Sequence, residues 1–256
     1  MSASTDQSPL VLLIHGAWHG AWCWAPLQAQ LDERGIASMA IDLPGHGASL
    51  LPLGDLHGDA AHVADVVCAL DRRVILVGHS YGGAVITEAA VASDRVAHLV
   101  YLTAFALDTG ESVLSLLGSL PPAPVGLSAA MVPRDDGTIV LQPDLCPDAL
   151  YGKCSPEAVA AAVARLGPQP AATFTQKVTG SPRETIGSTF VCCELDDAIN
   201  IAHQRSMAAR CDTVVSLATD HSPFASMPDA TAEIIAGVLT EVLAETSVGT
   251  SAVDHR

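Results

Sequence analysis

Six short runs of mostly Val, Ile, Leu and Ala punctuate this chain, and the stretches between the first four are longer and helical in pattern. The runs are Leu10–Ile14, Ala37–Ile41, Val74–Val77, Val96–Leu102, Thr189–Cys193 and Val214–Ala218. They are nearly continuous in apolar residues rather than alternating, which suits strands covered on both faces of a parallel sheet. The helical stretches carry apolar stripes: Leu27 and Leu31 in Trp24–Arg34, Val63, Val66, Val67 and Leu70 in His57–Leu70, and Ile234, Ile235, Val238 and Val242 in Asp229–Glu245. Tyr81–Ala92 is rich in Ala and Val. Strand–helix alternation of this kind predicts an α/β fold, a mostly parallel central sheet flanked by helices and built from right-handed βαβ crossovers.

The alternation stops between Phe105 and Gly187, a stretch holding Pro121, Pro122, Pro124, Pro133, Pro143, Pro147, Pro156, Pro168, Pro170 and Pro182. One good helix stands inside it, Pro156–Arg165, with Ser155 as N-cap and Pro156 at the first position. A structureless loop of that length is implausible in a compact domain. The expected organisation is therefore a core formed by residues 1–104 and 188–256, interrupted by a loosely helical cap at 105–187. Ser247–Arg256 is polar and aperiodic and reads as a loose tail.

Composition narrows the class. With 256 residues and 49% hydrophobic residues, the chain can bury a large core, and only 16% of it is charged, which excludes intrinsic disorder. Lys and Arg number 12 against 28 Asp and Glu, a net charge of −16, which argues against binding nucleic acid or an anionic membrane through bulk charge. No apolar run approaches the roughly 18–20 residues of a membrane span. Ala97–Leu107 contains His98 and reads as a buried strand and its exit. The seven Cys are an odd number without a CxxC pair, so a disulfide framework is not expected. Met1–Ser8 shows no secretory pattern, and the expected location is cytoplasmic. No metal-ligand spacing and no phosphate-loop Lys occur, so no metal or cofactor is expected. The oligomeric state is left open, a homodimer being one option.

Val74–Val77 runs into Gly78-His79-Ser80-Tyr81-Gly82-Gly83 and then into a helical stretch. G-x-S-x-G alone is a weak signal, since a Gly-rich turn with an incidental Ser shows the same residues. Between a strand and a helix it has the context that a nucleophile elbow requires. A turn that tight leaves no room for side chains two residues either side of Ser80. It lifts the hydroxyl above the strand end, at a helix N-terminus whose amides favour negative charge. The first run ends in His15-Gly16-Ala17-Trp18-His19-Gly20, a strand exit that fits the other half of an oxyanion hole. The Ala17 amide would pair with that of Tyr81, and small residues matter because the backbone itself must reach the substrate oxygen.

A serine hydroxyl needs a base, most often His. Of ten His, His221 stands out by place: it follows the last apolar run, in Thr219-Asp220-His221-Ser222-Pro223-Phe224, just before the final helix. The chain order Ser…Asp…His requires a His there. His203 lies in an apparent helix, His255 in the tail, and His46 precedes Ser80 in the chain. The partner acid should follow the run Thr189–Cys193, where Glu194, Asp196 and Asp197 are open candidates. Asp220, adjacent to His221, is a poor one.

The run His15-Gly16-Ala17-Trp18-His19-Gly20-Ala21-Trp22-Cys23-Trp24 resembles the signature of one branch of the α/β-hydrolases, that of plant methylesterases, hydroxynitrile lyases and bacterial carboxylesterases such as pyrethroid hydrolases. Asp42-Leu43-Pro44-Gly45-His46-Gly47, the Ser80 turn and Asp220-His221-Ser222-Pro223-Phe224 are similar to the same branch. The match covers nearly the whole sheet portion; the insertion resembles the family only as a helical cap. The resemblance implies an acid at the Asp of a D-x-A-I-P run, here Asp196-Asp197-Ala198-Ile199-Asn200 with Asn200 in place of Pro. It thus selects Asp196, with Asp197 in reserve. The lyases of the branch carry a Thr where this chain has Gly16 and a Lys directly after the catalytic His, where Ser222 stands here. A dehalogenase of this fold would need an Asp nucleophile, which Ser80 excludes.

These features predict a serine carboxylesterase acting on small to medium uncharged esters through Ser80, His221 and Asp196, with an acyl-enzyme intermediate. The partner is a small-molecule ester, with neither nucleic acid nor membrane. Gly16, Trp18, Phe105 and Leu107 are expected at the substrate, the last two at the entrance to the cap, and the Tyr81 ring at its border. The alternatives are lyase-like or other carbonyl chemistry on the same triad, and a non-catalytic receptor of this fold that binds a small ligand.

Overall fold

A computed structural model of the chain describes residues 8–91 and 93–251. In chain order the strands are β1 (Leu10–Ile14), β2 (Ser38–Ile41), β3 (Val74–His79), β4 (Val96–Leu102), β5 (Met131–Pro133), β6 (Thr138–Leu141), β7 (Gln169–Pro170), β8 (Ser188–Cys193) and β9 (Thr213–Leu217). The helices are α1 (Ala25–Glu33), α2 (Leu56–Ala69), α3 (Gly82–Ala90), α4 (Val113–Ser119), α5 (Leu127–Ala130), α6 (Cys146–Tyr151), α7 (Pro156–Val163), α8 (Ile201–Ala208), α9 (Pro223–Ser226) and α10 (Pro228–Ser251).

Six strands form one parallel sheet in the order β2-β1-β3-β4-β8-β9. This is the α/β class that the alternation of runs implies. The four central strands are buried along their whole length. The two edge strands are not: β2 is half-buried throughout, and β9 shows exposed residues up to Ser216. An edge strand has a neighbour on one side only, so the expectation of burial on both faces holds for the interior of the sheet alone.

The helices bury the stripes read from the sequence. Leu27 and Leu31 of α1, Val63 and Val67 of α2, and Ile235, Val238 and Val242 of α10 lie in the core, while Val66, Leu70 and Ile234 pack at its margin. Each apolar side chain removed from water contributes roughly 1.5–3 kcal/mol. Local polar groups set the starts: Asp55 accepts the Gly58 amide at 2.8 Å to begin α2, and Ser155 accepts the Ala158 amide at 3.2 Å to begin α7. α10 continues to Ser251, so the first part of the expected tail is helical; residues 252–256, His255 among them, lie outside the described residues, as does Ala92.

The stretch 105–187 is not simply helical. Beside α4 to α7 it holds an antiparallel three-stranded sheet, β5-β6-β7, with Met131 opposite Leu141 and Thr138 opposite Pro170. The β5–β6 hairpin closes at Asp136-Gly137, where the Asp136 carboxylate accepts the Thr138 amide at 3.0 Å and its hydroxyl at 2.6 Å. Among the described residues, no helix is long and apolar enough to cross a membrane.

Candidate active site

β3 ends at the centre of the sheet, and the chain turns within two residues into α3. Ser80 sits at the apex with φ +53°, a left-handed conformation that a non-Gly residue adopts only under constraint. The constraint is visible in its flanking glycines. A Cβ on Gly78 would stand 2.5 Å from the Gly82 carbonyl oxygen, and one on Gly82 2.6 Å from that of Ile14. The Ser80 carbonyl accepts the Gly83 amide at 3.0 Å and the Phe105 amide at 3.1 Å, which ties the turn to the exit of β4.

The strand exit after β1 packs directly on this turn, since a Cβ on Gly16 would meet Ser80 Cβ at 2.9 Å. Ala17 and Ser80 line one cavity of about 340 Å³. Its other walls are Trp18, Ala198 and Ile199 from the sheet side, and Phe105, Val113, Leu114, Leu117, Val125, Leu127, Ser128, Met131, Ile139, Ala171, Phe174 and Thr175 from the insertion. No charged side chain stands among them. Of the residues expected at the substrate, Trp18 and Phe105 are in this wall. Leu107 is not: its side chain is fully buried in the core, and its carbonyl accepts from Arg183 at 2.7 Å. Gly16 lies behind Ser80 rather than in the wall. The Tyr81 ring is buried behind this wall, edge-on to Phe174 with centroids 6.0 Å apart, and its hydroxyl donates to Asp59 Oδ2 of α2 at 2.7 Å.

His221 follows β9 and is buried. Its Nδ1–H donates to Asp196 Oδ2 at 2.7 Å. Asp196 sits in the turn after β8, and its carboxylate gathers further donors. The Ala198 and Ile199 amides bond Oδ1 at 2.7 and 2.8 Å, Gln204 Nε2 bonds Oδ2 at 3.1 Å, and the Thr103 hydroxyl donates to Oδ2. The other acids turn elsewhere. Glu194 and Asp197 are exposed, and Asp220 accepts the Lys153 and Ser222 amides at 2.7 and 3.1 Å and the Ser226 hydroxyl at 2.7 Å. Asn200 has local work to do as N-cap of α8, its side chain accepting the Ala202 amide at 3.0 Å.

Three residues of this arrangement escaped the sequence. Thr103 leaves β4 at φ +42° and reaches Asp196 across the sheet top. Gln204 clamps the β8 exit, bonding Cys193 and Ile199 carbonyls as well as Asp196. His79 donates through Nε2 to the His221 carbonyl at 2.7 Å. No spacing rule marks them, because each contact joins segments far apart in the chain or depends on a helix register.

Burial holds three of the surrounding histidines, His15, His19 and His79, in the neutral form. Burial and the nearby His46 push His15 down to about 3, and burial pushes His19 down to about 4. Burial and the neighbouring His221 drive His79 well below the ordinary range. Their hydrogen bonds agree with the neutral form: His15 donates to the Gly16 carbonyl and accepts the Leu43 amide, and His19 donates to the Ala17 carbonyl and accepts the Tyr151 hydroxyl at 2.5 Å. His203 bonds the Pro121 carbonyl. Among the described residues, no three His, Cys, Asp or Glu side chains are grouped to hold a metal ion.

Residues 11–234 match the alpha/beta hydrolase family, and the chain belongs to that family. An alpha/beta hydrolase from Aspergillus novofumigatus is 29% identical over 252 residues, covering 92% of this chain and 98% of the relative. A carbendazim hydrolyzing esterase from a Nocardioides species is 40% identical over 120 residues, which is 43% of this chain and 48% of that protein. Among solved structures, a pyrethroid hydrolase from Sphingobium faniae superposes with a TM-score of 0.79 at 28% identity, over 91% of this chain and 97% of the other. A methylesterase from Arabidopsis superposes with a TM-score of 0.76 at 24% identity, over 91% and 99%. The carbendazim esterase, the pyrethroid hydrolase and the methylesterase are of the kinds that the sequence motifs resemble.

Proposed function

We propose that this protein is a serine carboxylesterase that hydrolyses uncharged esters of small to medium size. The observation that carries the reading is the His221–Asp196 hydrogen bond, formed at the same sheet edge as the strained Ser80 and the apolar cavity it lines. Relatives named as esterases and a pyrethroid hydrolase support the choice of ester chemistry.

In this mechanism His221 Nε2 takes the Ser80 hydroxyl proton as Oγ attacks the ester carbonyl. Asp196 holds the ring with Nδ1 protonated, which leaves Nε2 as the base, and stabilises the imidazolium that forms. The Ala17 and Tyr81 amides donate to the oxyanion, each worth roughly 10²–10³ in rate. His221 then gives its proton to the leaving alkoxide, and the C–O bond to the alcohol breaks. Water, deprotonated by His221, attacks the acyl-enzyme; the second tetrahedral intermediate collapses to the acid, and Ser80 regains its proton. Nucleophile, base and oxyanion donors all come from the chain itself.

Residues 105–187 act as the cap that sets substrate size, since most of the cavity wall comes from them. A wall without charge favours esters that are neutral on both sides of the scissile bond. All seven cysteines are free, which supports a reducing, cytoplasmic setting. Steady-state turnover of p-nitrophenyl butyrate tests the reading: the wild-type protein hydrolyses it, and a folded Ser80→Ala variant loses at least about 10³-fold in kcat. Undiminished turnover by Ser80→Ala contradicts it.

A further inference from the structure

Trp18, the residue after the proposed oxyanion donor Ala17, has all its polar groups bonded to the insertion. Its amide donates to Gln169 Oε1 at 3.2 Å, its carbonyl accepts the Gly167 amide at 2.8 Å, and its indole Nε1–H donates to the Ile139 carbonyl at 2.9 Å. Its ring leans on Phe174, with centroids 5.9 Å apart. Trp18 stands at φ +65°, a conformation that an L residue keeps only when its surroundings enforce it.

Gln169 is the buried polar group at the centre of this enforcement. It is 0% exposed, and its amide is fully directional. Nε2 donates to the Thr173 hydroxyl at 3.0 Å, which in turn donates to the Pro170 carbonyl, and this fixes which end is the oxygen. That oxygen accepts the Trp18 amide, and His46 Nε2 stands 3.0 Å from it. One glutamine thus joins β7 to the turn after β1 and to the turn after β2.

We propose that Gln169 is a positioning residue for the oxyanion hole, acting through Trp18 on the direction of the Ala17 N–H; the proposal rests on the esterase reading above. Ala17 lies between two peptide planes. In the plane before it, the Gly16 carbonyl accepts His15 Nδ1–H at 2.8 Å and the His19 amide at 3.3 Å. In the plane after it, the Ala17 carbonyl accepts His19 Nδ1–H at 2.8 Å, and the amide is the one that Gln169 holds. With both planes fixed, the Ala17 N–H has one direction. Three of the four bonds come from the turn itself. The fourth reaches in from the insertion. Without it the left-handed Trp18 has no partner for its amide and the plane after Ala17 turns; the Ala17 carbonyl then draws on His19 Nδ1–H, and His19, whose own amide bonds the Gly16 carbonyl, carries the turn to the plane that holds the Ala17 N–H. A donor displaced from the oxyanion loses stabilisation of the transition state but little of ground-state binding.

The test compares wild type, Ser80→Ala, Gln169→Leu, Gln169→Glu and Thr173→Val in kcat and KM on p-nitrophenyl butyrate. It also compares their affinity for an alkyl trifluoromethyl ketone, which adds Ser80 and places an oxyanion in the hole. Gln169→Leu is expected to lower kcat about 30-fold with KM within about twofold, and to weaken the ketone by a similar factor. Gln169→Glu keeps an acceptor for the Trp18 amide and recovers most of both. Thr173→Val, which frees the glutamine amide to turn, lowers kcat about threefold. A folded Gln169→Leu with wild-type kcat and ketone affinity, or with its whole effect in KM, overturns the proposal. If Gln169→Leu does not fold, unchanged kcat and ketone affinity in Thr173→Val overturn it instead. Wild-type turnover abolished in Ser80→Ala but indifferent to Gln169 removes this link alone; absent wild-type turnover, or full turnover in Ser80→Ala, removes the esterase reading and this link with it.

Discussion

His79 and His221 are joined twice: His79 Nε2–H donates to the His221 carbonyl at 2.7 Å, and the two rings stand 4.6 Å apart, inclined at 54°. The residue just before Ser80 therefore anchors the backbone of the proposed base. His79 also stacks edge-on against Phe224 at 4.9 Å and Trp24 at 6.3 Å, and burial keeps it uncharged. A neutral ring can stand beside an imidazolium that forms during the reaction; a charged one would oppose it.

His79→Phe keeps an aromatic ring in this packing and deletes the bond to the His221 carbonyl. The loss of one buried hydrogen bond, about 1–1.5 kcal/mol, is expected to lower kcat about tenfold on p-nitrophenyl butyrate, with the far-UV circular dichroism unchanged. A kcat equal to wild type would show that the anchor has no bearing on the base.

The two adjacent acids separate cleanly. Asp196→Asn removes the acceptor that selects the Nδ1-protonated ring of His221 and is expected to cost roughly 10³–10⁴ in kcat. Asp197 is exposed, and its backbone carbonyl, not its side chain, accepts the Leu127 amide at 3.1 Å. Asp197→Asn is therefore expected to stay within about twofold. Kinetics of both variants on one ester decide it, and the reverse pattern would move the acid to Asp197.

Asp59 lies beneath the Ser80 turn, bonded through Oδ2 to the Tyr81 hydroxyl, and burial raises its carboxyl to about 7. The folded chain thus keeps this proton where the unfolded chain, at an ordinary value near 4, gives it up. Asp59's contribution to stability falls as pH rises from about 4 to about 7 and is level above that. Relative to wild type, Asp59→Asn should gain stability across that window, by up to about 1.4 kcal/mol per pH unit, in urea unfolding followed by fluorescence. Parallel wild-type and variant curves from pH 4 to 7 would contradict this.

The insertion's share of the cavity wall predicts a change of specificity without a change of chemistry. Leu117→Trp fills part of the 340 Å³ space from α4. It is expected to lower kcat/KM for a p-nitrophenyl octanoate at least tenfold while leaving the acetate within about threefold. Equal losses on both esters would mean that substrate does not occupy this cavity.

The sheet was legible because its strands are short, apolar and separated by helices with clear stripes: Leu10–Ile14 and Val96–Leu102 are strands with those bounds. Burial at the edges was not, since Thr213–Leu217 and Ser38–Ile41 read like interior strands and differ only in having one neighbour. The antiparallel sheet of the insertion left one sign, Asp136-Gly137 between two short apolar runs, which the surrounding prolines obscured. Ser80 stands out through local turn sterics and His221 through chain order. Asp196 was distinguished from Asp197 by resemblance alone, because the distinction lies in which carboxylate faces a ring 25 residues away. Thr103, 93 residues from the Asp196 it bonds, has no sequence signature at all. Leu107 was misplaced for a related reason: the direction of its side chain follows from how the β4 exit is pinned by Arg183, a residue far along the chain.

The central claim, that Ser80 is acylated by an ester, is read most directly by intact-protein and peptide mass spectrometry after acid quenching during turnover of p-nitrophenyl butyrate. The account predicts a mass increase of one butyryl group on the peptide carrying Ser80. It also predicts that Asp196→Asn reaches the same adduct more slowly and that Ser80→Ala shows none. An adduct on any other residue, or full hydrolysis by Ser80→Ala, would contradict it.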